Sequence, residues 1–410
     1  MIETKFKDSE LGPIPEDWEV APLCEFFLFG NGYTPSKEVE SFWKGGTIPW
    51  FRMEDIREHG RILFDSIQHI TPLGVKGKLF PSGSFILSTT ATIGEHAWLI
   101  ADSLANQRFT FLTKGKSLKP ILSEFFFYKL YEIGDWCRSN VSTNTLMAVN
   151  IKELKEYPLS LPPTETEQKR IAEVLSDVDA LIKELDALIE KKRMVLKATM
   201  QDLLTARRRL PGFSEPWQEV KLGELVNMNS GGTPSTSNHS YYSGIIPFLS
   251  ISDISSAGKF LYKTQKHISD DAVLNSSARV FPKDTLLISM YASIGKCIIS
   301  KIDVAISQAI LGFVPKKNDF NTDYLYYTLL FNNKELISSG QTGTQSNLNK
   351  RIVQNFSVSI PSDIAEQTAI SDIFSDMDAE IAELEKKKEK YTSIRQGMMQ
   401  QLLTGKIRLI

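Results

Sequence analysis

Short hydroxyls, amides and two arginines cluster in a few segments of this chain, and they are the side chains best placed to do chemistry. The first set is Thr34, Arg52, Ser88, Thr89, Thr90, Thr92, Gln107, Arg108 and Asn144. The second is Thr233, Ser250, Ser289, Tyr291, Ser293, Gln308, Thr344, Gln345 and Ser346. Such groups exchange hydrogen bonds rather than break covalent ones: hydroxyls and amides satisfy phosphate oxygens, and Gln and Arg make two-pronged contacts to planar base edges. The same residue types are also ordinary turn formers.

Covalent chemistry is poorly represented. The chain has no GxxxxGK[ST] phosphate loop, no HExxH and no GxSxG, and none of His59, His69, His96, His239 and His267 has metal-ligand spacing to another. Cys24, Cys137 and Cys297 are odd in number and far apart, which argues against a disulfide framework or a zinc site. Gly30-Asn31-Gly32 lacks the third glycine and the crossover context of a dinucleotide loop. Asp55 and Asp253, matched before an isoleucine, read as turn residues, because a lone carboxylate has no partner for metal or acid-base work. No catalytic, metal or cofactor residue is assigned.

The two polar sets belong to a repeat that runs from end to end. Trp18, Leu23 and Glu25 recur as Trp217, Leu222 and Glu224, an offset of 199, and Thr34-Pro35-Ser36 recurs as Thr233-Pro234-Ser235 at the same offset. IPWFRMEDI matches IPFLSISDI, and FPSGSFILSTTATIG matches FPKDTLLISMYASIG, at offsets of 198 and 201. Glu167-Gln168, Asp179 and QDLLT from Gln201 reappear as Glu366-Gln367, Asp378 and QQLLT from Gln400. A solenoid unit runs ~20 to 50 residues, so this is a duplicated domain. Between copies the framework stays and the loop side chains change: Arg108 becomes Ala309, and Thr89-Thr90 becomes Met290-Tyr291.

The elements that must position these loops are legible. Short β-like runs (GSFILSTT, HAWLIA and FTFLT; DTLLISM, KCIISK and ILGFV) alternate with turns, and an aromatic helical segment follows in each half. Thr164 with Glu167, and Asp363 with Glu366, read as capping boxes opening two long helices. Over Thr164 to Ala206, Val174, Val178, Leu181, Leu185, Leu188 and Val195 step by three and four, and Leu175, Ile182, Ile189, Leu196 and Leu203 add a row at heptad spacing. The stripe is wider than a two-helix seam needs, leaving a face for another protein. The expected fold is α+β: two similar mixed α/β domains, 1–160 and 211–359, joined by helical regions 161–210 and 360–410 as a pseudo-two-fold antiparallel pair.

Composition is that of a soluble globular chain, with 42% hydrophobic and 23% charged residues in 410. The N-terminus has no apolar signal segment and no stretch approaches a membrane span, so a cytoplasmic protein is expected. The net charge of -2 gives no global signature of a polyanion binder, although acidic helices can mask a local basic face.

The opening LGPIPEDWEV, the ATIG and Asn106-Gln107 elements, EQKRIAEVLSDVDALI and the closing MMQQLLTGKIRL resemble the specificity subunit of type I restriction-modification enzymes, over the whole chain. The resemblance implies a non-catalytic chain whose two target-recognition domains each bind half of a bipartite site in double-stranded DNA, with the helices as spacer. It further implies two modification subunits that bind S-adenosylmethionine and methylate adenine, and restriction subunits that use ATP and Mg. A coiled-coil adaptor without base readout is the alternative.

Overall fold

The computed structural model describes residues 5–142, 147–316, 320–340 and 348–410. Contacts divide the chain into two compact units, Met1–Leu185 with Lys387–Ile410, and Asp186–Lys386. Both divisions fall inside the long helices, Glu165–Leu204 and Ile364–Leu402, so each unit holds one segment of each.

The apolar runs form strands. In the first unit a five-stranded sheet has the order Phe27–Asn31, Phe109–Lys114, Phe85–Ser88, His96–Leu99, Ile62–Leu63. Every pairing is antiparallel except the last. Phe85–Ser88 sits at the centre and all four of its residues are buried, which is why it reads as an unbroken apolar run and not an alternating one. A smaller sheet sets Ile48–Phe51 between Leu104–Ala105 and His69–Ile70. The second unit repeats the plan: Val226–Ser230, Ile310–Pro315, Leu286–Ser289, Cys297–Ser300 and Phe260–Leu261 in the larger sheet, with Lys266–Ile268, Ile246–Leu249, Val304–Ile306 and Val280–Phe281 in the smaller.

The aromatic segments are helices, Ser123–Ser139 and Thr322–Phe331, and their rings fill the space between sheet and long helix. Phe126 packs against Phe27 and Phe85 in the first unit; Tyr327 packs against Phe374 of the long helix in the second. The tails of the repeated QDLLT and QQLLT plug these cores, Leu203 and Leu204 in one unit and Leu402 and Leu403 in the other. Burying such leucines contributes roughly 2 kcal/mol each.

Within each unit the two helical segments run antiparallel. Glu167 and Asp179 bond Arg408 and Arg395 in the first; Lys192 and Arg209 bond Glu380 and Glu366 in the second. Leu175, Ile189 and Leu203 of the heptad row are buried, as is Leu185 of the other row, whose Val174, Leu188 and Val195 remain exposed. The broad stripe is thus a packed seam with a partly uncovered flank.

The capping boxes are only half formed. Thr164 Oγ1 accepts from the Glu167 backbone N–H at 3.3 Å, but the Glu167 carboxylate instead takes both arms of Arg408, at 2.5 and 2.7 Å. Glu366 takes Arg209 the same way, at 2.8 and 2.6 Å. The neighbouring glutamines clamp the start of each aromatic helix: Gln168 accepts from Leu122 N–H and donates to Pro162 O, and Gln367 accepts from Asn321 N–H and donates to Pro361 O. The repeated Glu-Gln is therefore a tertiary joint more than a helix-start signal.

Candidate functional site

Strand register gathers the polar loops at one end of each large sheet. In the first unit Asn31 pairs with Thr110 and Ser88 with Phe109, both at the start of Phe109–Lys114, while His96 enters opposite Leu87. The connections after Asn31, between Ser88 and His96, and before Phe109 therefore emerge together. The small sheet adds a fourth segment, because Phe51 lies beside Ala105 and its carbonyl accepts from Asn106 N–H at 3.0 Å. Arg52 thus follows directly beside Asn106-Gln107-Arg108. The second unit does the same through Ser230 opposite Leu311, Ser289 opposite Ile310 and Leu249 beside Ile306.

At the first edge, Thr34 donates its hydroxyl proton to Gln107 Oε1, and Gln107 and Arg108 are exposed. The Arg52 guanidinium lies 5.8 Å from the Trp50 ring centroid, with Glu54 at 3.8 Å. Thr90 and Thr92 are half-buried in the hairpin loop. At the second edge Thr233, Tyr291 and Gln308 are exposed, and half-buried Ser293 exchanges a hydrogen bond with Ser255 at 2.7 Å.

Four of the expected readers have other employment. Ser88 and Ser289 are fully buried and donate to the carbonyls of Thr90 and Tyr291, at 3.0 and 2.7 Å, which shapes the loop from inside. Thr89 is buried against Thr110, their hydroxyls 3.0 Å apart. Ser250 gives its hydroxyl proton to Asp253 at 2.6 Å. Sequence shows that these positions repeat but not that a repeated hydroxyl points inward. Asn144, Thr344, Gln345 and Ser346 lie outside the described residues.

Asp55 and Asp253 are buried staples. Each accepts from two backbone N–H groups, Arg52 and Ile67 at 2.6 Å in one unit, Ser250 and Gln265 at 2.9 Å in the other, fixing the segment that leads away from the small sheet. The hairpin loops carry matched left-handed alanines, Ala91 at φ 63 and Ala292 at φ 54. That conformation costs an L-residue about 1–2 kcal/mol, so both loops are held in a definite shape by the packing around them.

Three features escape a motif search. Arg57 and Arg138 reach the space beside Thr92, and Lys76 N–H donates to the hydroxyl of Tyr33, next to Thr34. His96 is buried against Phe127 and Tyr131, and burial, with Arg61 alongside, pushes its pKa down to about 3. Burial likewise pushes the Cys137 and Cys297 thiols up to about 12, leaving them protonated and unreactive at neutral pH. The one available signal was the comparison of the two copies, where Arg57 and Lys76 give way to Ser255 and Ser277.

The described residues form a duplicated α+β unit, each copy presenting an irregular polar edge at the same end of its large sheet. The chain belongs to the type I restriction modification DNA specificity domain family, whose model matches residues 15–191 and 214–391, once in each copy. It is 36% identical over 247 residues to the EcoprrI specificity subunit of Escherichia coli, an alignment spanning 58% of this chain and 61% of that one. With the MjaVIII specificity subunit of Methanocaldococcus jannaschii it shares 26% identity over 428 residues, 99% of this chain and 97% of the other. The fold is that of the type I S subunit from M. genitalium, with a TM-score of 0.60 at 17% identity over 98% of this chain and 99% of that one. A chain from a type I complex whose assembly and conformational transition were studied gives 0.61 at 19% identity, over 96% and 99%. Among the described residues no helix is long and apolar enough to cross a membrane.

Proposed function

We propose that this chain is the non-catalytic DNA reader of a type I restriction-modification complex, each unit binding one half of a bipartite duplex site at the polar end of its large sheet. The observation that carries this is the convergence, in both units, of the same four connections at one sheet end, with framework residues matched and several loop side chains divergent, Arg52 and Arg108 against Ser250 and Ala309. Two readers of one architecture recognise two different half-sites. The long helices, which at 40 and 39 residues each rise ~60 Å, act as the spacer, and their exposed flank of Val174, Leu188 and Val195 is the docking face for two modification subunits.

The chain's own residues position and discriminate. Gln107 and Arg108 in one unit, and Gln308 and Tyr291 in the other, are the exposed side chains with reach for base edges or phosphates. S-adenosylmethionine belongs to the modification subunits, and ATP and Mg to the restriction subunits. Methylation requires extruding the target adenine, at an unstacking cost of a few kcal/mol that the partner subunit meets. The site of action is the cytoplasm.

Domain exchange tests this. Replacing residues 1–160 with the matching segment of a relative, followed by genome-wide mapping of methylated adenines, is expected to change one half-site and preserve the other. Unchanged methylation sites would show that the globular segment reads nothing and reduce the chain to a protein adaptor.

A further inference from the structure

Beside the hairpin loop of each unit lies an open cleft that the reading edge does not account for. In the first unit it measures about 650 Å³, lies between the helix Met53–His59, the loop at Thr92-Ile93 and the helix Ser123–Ser139, and is lined by Arg57, Arg61, Glu95 and Arg138. In the second it measures about 420 Å³ at the matching place, beside Ser293-Ile294 and the helix Thr322–Phe331, and is lined by Lys259 and Lys296. Three arginines less Glu95 and the Asp135 that holds Arg138, and two lysines less the Asp323 that holds Lys259, leave a net charge of +1 in each. Apart from Arg61 and Lys259 the charged lining residues are not matched: Arg57 aligns with Ser255, Glu95 with Lys296 and Arg138 with Ile337. The positive charge is thus kept while the residues that supply it change.

Each cleft also divides its cations in the same way. One is anchored: Arg61 is bonded to Glu95 at 2.6 Å and stacked on Tyr131, and Lys259 is bonded to Asp323 at 2.5 Å and stacked on Tyr327. Another has no carboxylate partner among the described residues, Arg57 in the first cleft and Lys296 in the second, whose Nζ donates only to the Ser255 carbonyl at 2.8 Å. A cation without a carboxylate partner is available to an external anion. Thr92 and Ser293 belong at once to the cleft and to the loop that reaches the reading edge.

We infer that each cleft seats a backbone phosphate of the duplex, flanking the base pairs met by the adjacent sheet end. This rests on the DNA-reading function proposed above. A duplex held against the hairpin loop runs its sugar-phosphate strand along the loop's flank, where anionic oxygens call for cations. The seat positions the duplex in both units and carries no sequence information.

The test uses the complete complex with its modification subunits and measures equilibrium binding to a specific duplex over a range of KCl concentrations. Arg57→Gln and Lys296→Gln are each expected to flatten the slope of log affinity against log salt by about 0.9, with the double variant flattening it twice as much. Lys116→Gln, an exposed lysine beyond the far end of strand Phe109–Lys114, is the control and leaves the slope in place. The methylated sequence stays the same in every variant. An unchanged slope overturns the inference, as does a shift in the methylated half-site, which would make the cleft a base reader. Weakened assembly with the modification subunits at constant slope also overturns it, because the occupant would then be an acidic protein surface. If the unaltered complex shows no sequence-dependent binding, the DNA-reading function itself fails, a result distinct from any of these.

Discussion

The two reading edges share a backbone plan and differ in chemistry. Where the first edge has Arg52 and Arg108, the second has Ser250 and Ala309. Its acids go the same way, Glu54 and Glu58 being replaced by Ser252 and Ser256. A charged edge gains affinity from phosphate neutralisation and loses it with salt, whereas a hydroxyl edge depends on short-range hydrogen bonds that salt barely screens. One fold carries two differently charged edges, because the staples, Asp55 and Asp253 among them, lie under the edge and leave its surface free to vary.

The frame beneath is where the units should be most alike, and its removal should do the most damage. Glu366 and Glu167 are nearly inaccessible, and each is neutralised by one arginine, Arg209 or Arg408. Arg209→Ala is expected to destabilise the fold clearly by leaving the buried Glu366 carboxylate unpaired, and Arg408→Ala to a similar degree, read as a lower urea midpoint of the full chain. Arg408 also grips Asp17 at 2.8 and 2.9 Å, a contact for which Arg209 has no counterpart, since Pro216 stands at the matching position. Half-exposed Asp17 adds little, so a much larger loss for Arg408 than for Arg209 would mean the two joints are not equivalent.

A pH difference separates the units next. His96 occupies the place of Cys297 and is neutral in the fold, its pKa lowered from 6.5 to about 3 by burial first and Arg61 second. Above pH 6.5 the ring is neutral in both folded and unfolded chains and stability is intact. Below that the unfolded chain takes up the proton and the folded one does not, so the first unit loses about 1.4 kcal/mol per pH unit, roughly 2 kcal/mol by pH 5. Amide exchange should show His96–Leu99 opening at pH 5 while Cys297–Ser300 holds. His96→Cys removes the difference; persistence of the acid lability in that variant would place its source elsewhere.

The smallest expected effect probes the edges themselves. Exchanging Arg108→Ala with Ala309→Arg moves one cation between units, and total salt dependence of DNA binding should change by less than about 0.9 in log-log slope while the preferred bases change in both half-sites. A shift in one half-site alone would show that only one of these positions meets the duplex.

Much of this was open to inspection in one dimension. The duplication, the strands, the aromatic helices and the long helices follow from local rules: apolar runs, turn residues and period, all carried by neighbours in the chain. The exposure of Gln107, Arg108, Tyr291 and Gln308 was legible because polar residues between apolar strands have to emerge at a surface. Ser88, Thr89, Ser250 and Ser289 were not, since a hydroxyl that faces a carbonyl, another hydroxyl or a buried carboxylate looks the same in sequence as one that faces solvent. Glu167 and Glu366 read as capping-box members for a related reason: the arginines that take their carboxylates, Arg408 and Arg209, lie 241 and 157 residues away.

What the chain by itself determined is therefore the frame and its repetition, because hydrophobic pattern and turn chemistry act over a few residues. Only the tertiary structure decided which polar groups are spent inside, which flank of the long helices stays uncovered, and that Arg57 and Lys296 stand in matching clefts with no carboxylate partner of their own among the described residues. Those outcomes depend on strand register and on side chains meeting across the fold, and no local pattern encodes them.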